Sequence, residues 1–109
     1  MIPDSEIQKA LDYLRDNADA AAQARANRVY MEEYRKSLKA TLKKQSNATS
    51  NAAQEDDAYA HPKYLEHLEA LKAAVEDDER HRFMLSAAGA KLDAWRTQKS
   101  YSKTMGKLQ

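Results

Sequence analysis

The chain has 109 residues, no cysteine, two glycines and two prolines, 32% charged side chains and a formal net charge of +1. The absence of cysteine excludes disulfides and thiol chemistry, and a mean hydropathy of −0.90 leaves too little apolar matter for a thick globular core. A single domain of long helices, or a helical oligomer, is the economical way to bury what there is. A charge balance near zero argues against bulk electrostatic attraction to DNA or acidic lipid, while leaving local patches open.

Helix 1 is expected over about residues 4–46. Pro3 precedes it, Asp4 and Glu6 suit the positive end of a helix dipole, and Lys39, Lys43 and Lys44 suit the negative end. Ile7, Leu11, Leu14, Ala18 and Ala21 recur in steps of four and three, the pattern of a coiled-coil seam. Further on the apolar stripe moves to Tyr30, Tyr34, Leu38 and Leu42, which predicts a shift of the supercoil there. Arg35, Lys36, Lys39, Lys43 and Lys44 make a first basic cluster.

A connection is expected over 47–61, with Asn47 to Asn51 as a turn and Glu55 to Tyr59 forming one or two helical turns. Asn47-Ala48-Thr49 fits the glycosylation pattern, but the N-terminus has no basic-then-apolar leader, so the match is read as accidental. His61-Pro62 marks a fresh start, because proline suits a helix's first turn and biases its predecessor away from helix. Helix 2 follows over about 62–104, and at 1.5 Å per residue each helix would be roughly 65 Å long. Its seam reads Tyr64, Leu68, Leu71 and Val75, continuing through Asp78 and Arg82 to Leu85, Gly89 and Leu92.

The charges fall in four blocks: net −3 over residues 1–20, +5 over 21–46, −7 over 47–79 and +6 over 80–109. A chain folded back near residues 50–57 sets each block beside one of opposite sign. The expected fold is therefore all-α: a long antiparallel helical hairpin, coiled-coil-like, forming one domain over 1–109. A register of residue i with about 107 − i sets Leu42 beside Leu65, Leu38 beside Leu68, Leu14 beside Leu92 and Ile7 near Tyr101. It also sets Arg25 and Arg28 opposite Asp78, Glu79 and Arg82. That polar layer reads either as a solvated ion cluster of little energetic worth or as a lock on the register. A second stripe, Phe83, Ala87, Ala90 and Ala94 with Tyr13, Ala20, Ala24 and Met31, calls for a further partner. Self-association into a helical bundle, giving a homo-oligomer, meets that need; a docking face for another protein is the alternative.

No catalytic residue, metal site or cofactor is indicated. His61 and His67 lie on different helix faces, and Asp78 with His81 supplies only one of the two acid–histidine pairs that a helical di-metal site requires. The acidic run Glu76 to Glu79 points around the whole helix. No phosphate loop, activated nucleophile or cofactor fingerprint is present, so an enzyme is not expected. Nucleic acid is the ligand class that residue types do suggest. Lys91, Trp95, Arg96, Lys99, Tyr101 and Lys103, with Lys107 beyond, mix cations for phosphate with rings for exposed bases. The competing reading is that these cations neutralise the facing acids while Trp95 joins the seam near Leu92. No apolar run of 18 residues occurs, so no membrane contact is expected, and the cytoplasm is the expected compartment.

Three stretches carry a family resemblance: Ala24-Arg25-Ala26-Asn27-Arg28-Val29-Tyr30 with Glu33-Tyr34-Arg35-Lys36-Ser37; Ala58-Tyr59-Ala60-His61-Pro62-Lys63-Tyr64; and Ala94-Trp95-Arg96-Thr97-Gln98. Together they resemble small uncharacterised helical proteins of tailed bacteriophages, encoded in early regions near recombination and replication functions. The resemblance spans most of the chain and implies a context, the cytoplasm of an infected bacterial host, but no functional residue. The expected function is a non-enzymatic binding protein accessory to DNA recombination or replication, contacting a phage or host protein or single-stranded DNA. The alternatives are an anti-CRISPR-like inhibitor of a host nucleic-acid-targeting complex, docking through Phe83, Asp77 and Asp78, and a plain coiled-coil scaffold.

Overall fold

The computed structural model describes residues 1–108 and is all-helical, with no strand among them. Helix α1 spans Asp4–Gln45, α2 spans Asn51–Ala60 and α3 spans Pro62–Leu108. At the start of α1 the Pro3 carbonyl accepts from the backbone N–H groups of Glu6 (3.0 Å) and Ile7 (3.3 Å). Asp4 and Glu6 stand in the first turn, and Lys43 and Lys44 in the last. The dipole preferences read from the sequence are thus met at both ends.

The connection is more ordered than the sequence suggests. α2 is a full ten residues and begins at Asn51, which was expected to lie in a turn. Two causes act together. Ser50, in an extended conformation, caps the helix by accepting from the Ala53 N–H through Oγ at 3.1 Å, which satisfies a donor that the first turn would leave orphaned. Ala58, on the same helix, is completely buried, so tertiary packing holds a segment too short to be stable alone. His61 then breaks the chain with extended backbone. Its ring Nδ1 accepts from the Lys63 N–H at 3.0 Å, and Pro62 opens α3 as its place in the sequence predicts. α3 continues past Thr104 to Leu108. Gly106 does not stop it, because its φ stays in the ordinary negative range.

The chain divides into two compact units: Met1–Ala21 with Arg80–Gln109 (unit 1), and Ala22–Glu79 (unit 2). In unit 1, Ile7 and Ala10 of α1 are buried, and Leu85, Ala88, Leu92 and Trp95 of α3 are half-buried. The contacts run in opposite senses along the two helices: Ile2 N–H to Gln98 Oε1 at 3.0 Å, Asp4 to Trp95, and Glu6 to Lys91. In unit 2 the core is Leu38 and Leu42 from α1, Ala58 from α2 and Tyr64 from α3. Ala24, Leu71 and Ala74 are also buried there.

Burial corrects the expected seams. On α1 the covered stripe runs Ile7, Ala10, Leu14, Asn17, Ala21, Ala24, Arg28, Met31, Leu38 and Leu42, steps of three, four and seven with no shift of frame, and Asp12, Tyr13, Glu32, Lys39 and Lys43 are half-buried beside it. Leu11 (45% exposed), Ala18, Tyr30 (68%) and Tyr34 (44%) lie outside. On α3, Tyr64, Leu71, Asp78, Leu85 and Leu92 occupy one seam position as read from the sequence. The second is taken by His67, Ala74, His81, Ala88 and Trp95; Leu68 and Arg82 are exposed, while Val75 and Gly89 are half-buried. Apart from Trp95, small and polar side chains thus take the second position, and at its first two places an apolar count favours the larger neighbours Leu68 and Val75. The register in unit 1 shifts as well. Pairing i with about 107 − i sets Glu6 opposite Tyr101 and Asp4 opposite Lys103, but Glu6 meets Lys91 and Asp4 meets Lys99. In unit 2 the expected register does hold at Arg28, which reaches Asp78 and Glu79.

Candidate functional site

The basic residues singled out on α3 all lie in unit 1, and half of them are tied to the start of α1. Trp95 is half-buried, and its Nε1–H donates to Asp4 Oδ1 at 3.2 Å. Lys99 Nζ lies 3.7 Å from the same oxygen and 5.6 Å from the centre of the Trp95 ring. Lys91 Nζ stands 3.5 Å from Glu6 Oε2. Arg96 pairs with Asp93 on its own helix at 3.5 Å. Such exposed pairs are worth about 1 kcal/mol or less each, so a phosphate can displace them. Arg96, Lys99, Lys103 and Lys107 recur in steps of three and four and therefore share one face of α3. No acid follows Asp93 in that stretch. Tyr101 is 67% exposed, but it sits two residues from both Lys99 and Lys103 and so projects from the opposite side of the helix. Cations are gathered into a stripe, with the Trp95 ring beside Lys99; the Tyr101 ring stands apart from them.

The residues expected to dock a partner are separated by burial. Phe83 is 65% exposed, with the Arg82 guanidinium 5.7 Å from its ring centre, and Met84 beside it is 50% exposed. Asp77 is exposed. Asp78, expected both in the seam and as a docking residue, points inward and is 9% exposed. Its Oδ2 accepts from Arg28 Nη1 at 3.2 Å, and Glu79 Oε1 accepts from the same nitrogen at 2.9 Å. Arg28 Nε donates to Glu32 at 3.0 Å. The bonds to Glu32, Glu79 and Asp78, in that order, raise the basicity of the guanidinium. The polar layer read from the sequence therefore lies within the seam of unit 2. In unit 1 an open groove of about 340 Å³ runs between α1 and α3, floored by Ala10, Ala87 and Ala88, walled by Tyr13 and Met84, and edged by Glu6, Lys9 and Lys91.

One juxtaposition in unit 2 escapes the sequence. Arg35, Lys36 and Lys39 of α1 line a cleft of about 350 Å³ together with Tyr59 of α2 and Tyr64 of α3. Lys39 Nζ pairs with Glu55 and lies 4.7 Å from the centre of the Tyr59 ring. Hydrogen bonding to Glu55, then to Tyr59, raises the Lys39 pKa, and the bond to Lys39 lowers that of Glu55. Tyr59 and Tyr64 meet edge to face at 5.2 Å. The basic cluster is legible in the chain. The two tyrosines, five residues apart across His61-Pro62, carry no sign of it, because the fold of α2 against α1 brings them there. Elsewhere in unit 2, Tyr30 and Tyr34 stack at 6.1 Å, and Tyr34 meets the His67 ring at 5.4 Å. His67 Nε2 donates to the Met31 carbonyl at 2.7 Å.

Among the described residues no group of three His, Asp or Glu side chains is placed to hold a metal ion, and no helix is long and apolar enough to cross a membrane. Three surface features stand out: a cationic stripe on α3, a groove between α1 and α3 at Met84 to Lys91 in unit 1, and a basic cleft with aromatic walls in unit 2. No protein-family model, curated protein or solved structure matches the chain.

Proposed function

We propose that this chain is a non-enzymatic helical binding protein, of the phage early-region type it resembles, that assists DNA recombination or replication by contacting a single strand or a protein bound to it. Its helices form a long antiparallel hairpin that self-associates through the apolar surface left on its flanks, and it works in the cytoplasm of the bacterial host. The observation that carries the reading is the stripe Arg96, Lys99, Lys103 and Lys107, one face of one sign, with no acid after Asp93. Phosphate contact needs such a local excess, and the net charge of the whole chain is irrelevant to it. A fluorescence-anisotropy titration with labelled oligo(dT) at low salt tests this reading. Binding should be salt-sensitive and should weaken about tenfold or more when Lys99 and Lys103 both become glutamate. A chain that leaves the oligonucleotide unbound at low salt contradicts direct contact.

The exposure of Phe83 and Met84 favours a second reading, an inhibitor that docks on a host nucleic-acid-targeting complex through that apolar patch and Asp77. It requires tight binding to a host protein and no affinity for DNA, so the same titration separates the two.

A further inference from the structure

We propose that unit 2 carries a nucleotide-binding site of its own: the cleft where Arg35, Lys36 and Lys39 face Tyr59 and Tyr64 takes one phosphate and the adjoining base of a single-stranded DNA. The inference rests on the reading of this chain as a single-strand binder and gives it a second, structurally distinct site. The cleft, at about 350 Å³, is within the usual range for a small-ligand pocket. Its cations are not equivalent. Lys39 is committed, paired with Glu55 and placed over the Tyr59 ring, so it acts as a positioning residue. Lys36 pairs with Glu33, at 3.3 Å on an open surface where both side chains are more than 60% exposed, and exchanges that partner readily. Arg35 is exposed, makes no ion pair among the described residues, and offers a planar fork suited to phosphate oxygens.

The aromatic side is built as well. Tyr64 is buried and fixes the edge of Tyr59, Lys39 fixes its position from α1, and yet Tyr59 remains 43% exposed. A ring clamped from two helices and still open to solvent is a low-entropy platform for a base, and stacking on it is indifferent to base identity. Cations and ring share a single cleft here, whereas on α3 the stripe and Tyr101 face apart.

Photo-cross-linking tests the site. An oligo(dT) of ~12 nucleotides, matching the span of a typical single-strand site, carries one 5-bromodeoxyuridine and is irradiated with the full chain at low salt; adducts are then mapped by mass spectrometry. Adducts on Tyr59 or Tyr64 are expected. Arg35→Glu, at an exposed position that leaves the core intact, should weaken binding about tenfold or more. Tyr59→Ala should do the same, while Tyr59→Phe, which keeps the ring, retains affinity. Adducts confined to Trp95 and Tyr101, with Arg35→Glu binding as tightly as the natural chain, overturn the cleft and leave the α3 stripe standing. Absence of any binding at low salt overturns both.

Discussion

At the scale of single residues the decisive fact is which side chains are covered. Leu42 is 2% exposed and Leu11 45%, although both read as seam leucines. Leu42→Ala should therefore cost about 2–5 kcal/mol, the range for a core leucine that leaves a cavity. Leu11→Ala should cost less than about 1 kcal/mol. Urea denaturation of the two variants checks the difference, and equal losses would refute the corrected seam. Leu38, Leu42, Tyr64 and Leu71 were legible in the sequence because large apolar groups at three- and four-residue steps are the pattern one looks for. Ala10, Ala24 and Ala74 were not, since alanine is abundant throughout the chain and marks no face. Asn17 was harder still, because a polar residue marks no apolar face; Arg28 and Asp78 were legible only through the register, as a polar layer in which Glu32, Glu79 and Asp78 satisfy Arg28. The Lys39–Glu55 pair supplies a pH-dependent prediction. Hydrogen bonding to Lys39 lowers the Glu55 pKa from its ordinary 4.5. The pair's stabilisation is thus fully present above that value and is lost as pH falls through the lower folded one. On acidification below pH 4.5, the Tm of the natural chain should fall more than that of Glu55→Gln; identical acid profiles would contradict the pairing.

At the scale of elements, starts were easier to read than extents. Pro3 with Asp4, and His61 with Pro62, announce α1 and α3 because proline and acidic side chains act within one turn of themselves. The ten residues of α2 were not announced as a whole. They depend on the Ser50 cap and on Ala58 meeting Leu38, Leu42 and Tyr64, a tertiary cause invisible along the chain. Register was the other loss. Charge blocks constrain sign but not phase, and a lysine reaches a carboxylate a turn away, so blocks alone tolerate several alignments. The groove floor of unit 1 brings Ala10 near Ala88, whereas the sequence register favours Leu14 with Leu92. A disulfide should therefore form within one chain in Ala10→Cys/Ala88→Cys under mild oxidation, and faster than in Leu14→Cys/Leu92→Cys. Faster closure of the latter pair, scored by non-reducing electrophoresis, would restore the original register.

At the scale of the whole molecule, the four charge blocks explain which charges are paired within the chain. Much of the charge meets opposite charge within the chain: Arg28 with Glu32, Asp78 and Glu79, Lys39 with Glu55, Lys91 with Glu6, and Lys99 with Asp4. The basic clusters could be read from the sequence because like-charged residues at helical spacing are visible in one strand of text. Which acids would meet them could not, and Asp4 holding both Trp95 and Lys99 is the clearest instance. Two cationic surfaces stand beside this internal pairing: the outer stripe of α3, where Lys103 and Lys107 extend the face of Arg96 and Lys99, and the Arg35–Tyr59 cleft. On the proposed reading both would take a flexible polyanion, since a single strand can follow a stripe and place a base against a ring. The most direct measurement is the salt dependence of oligo(dT) binding by anisotropy. The account predicts a linear fall of log K with log salt, whose slope flattens by about 1.4 when Lys99→Glu and Lys103→Glu remove two phosphate contacts. No binding at about 50 mM salt, or a slope unmoved by the double variant, would contradict it.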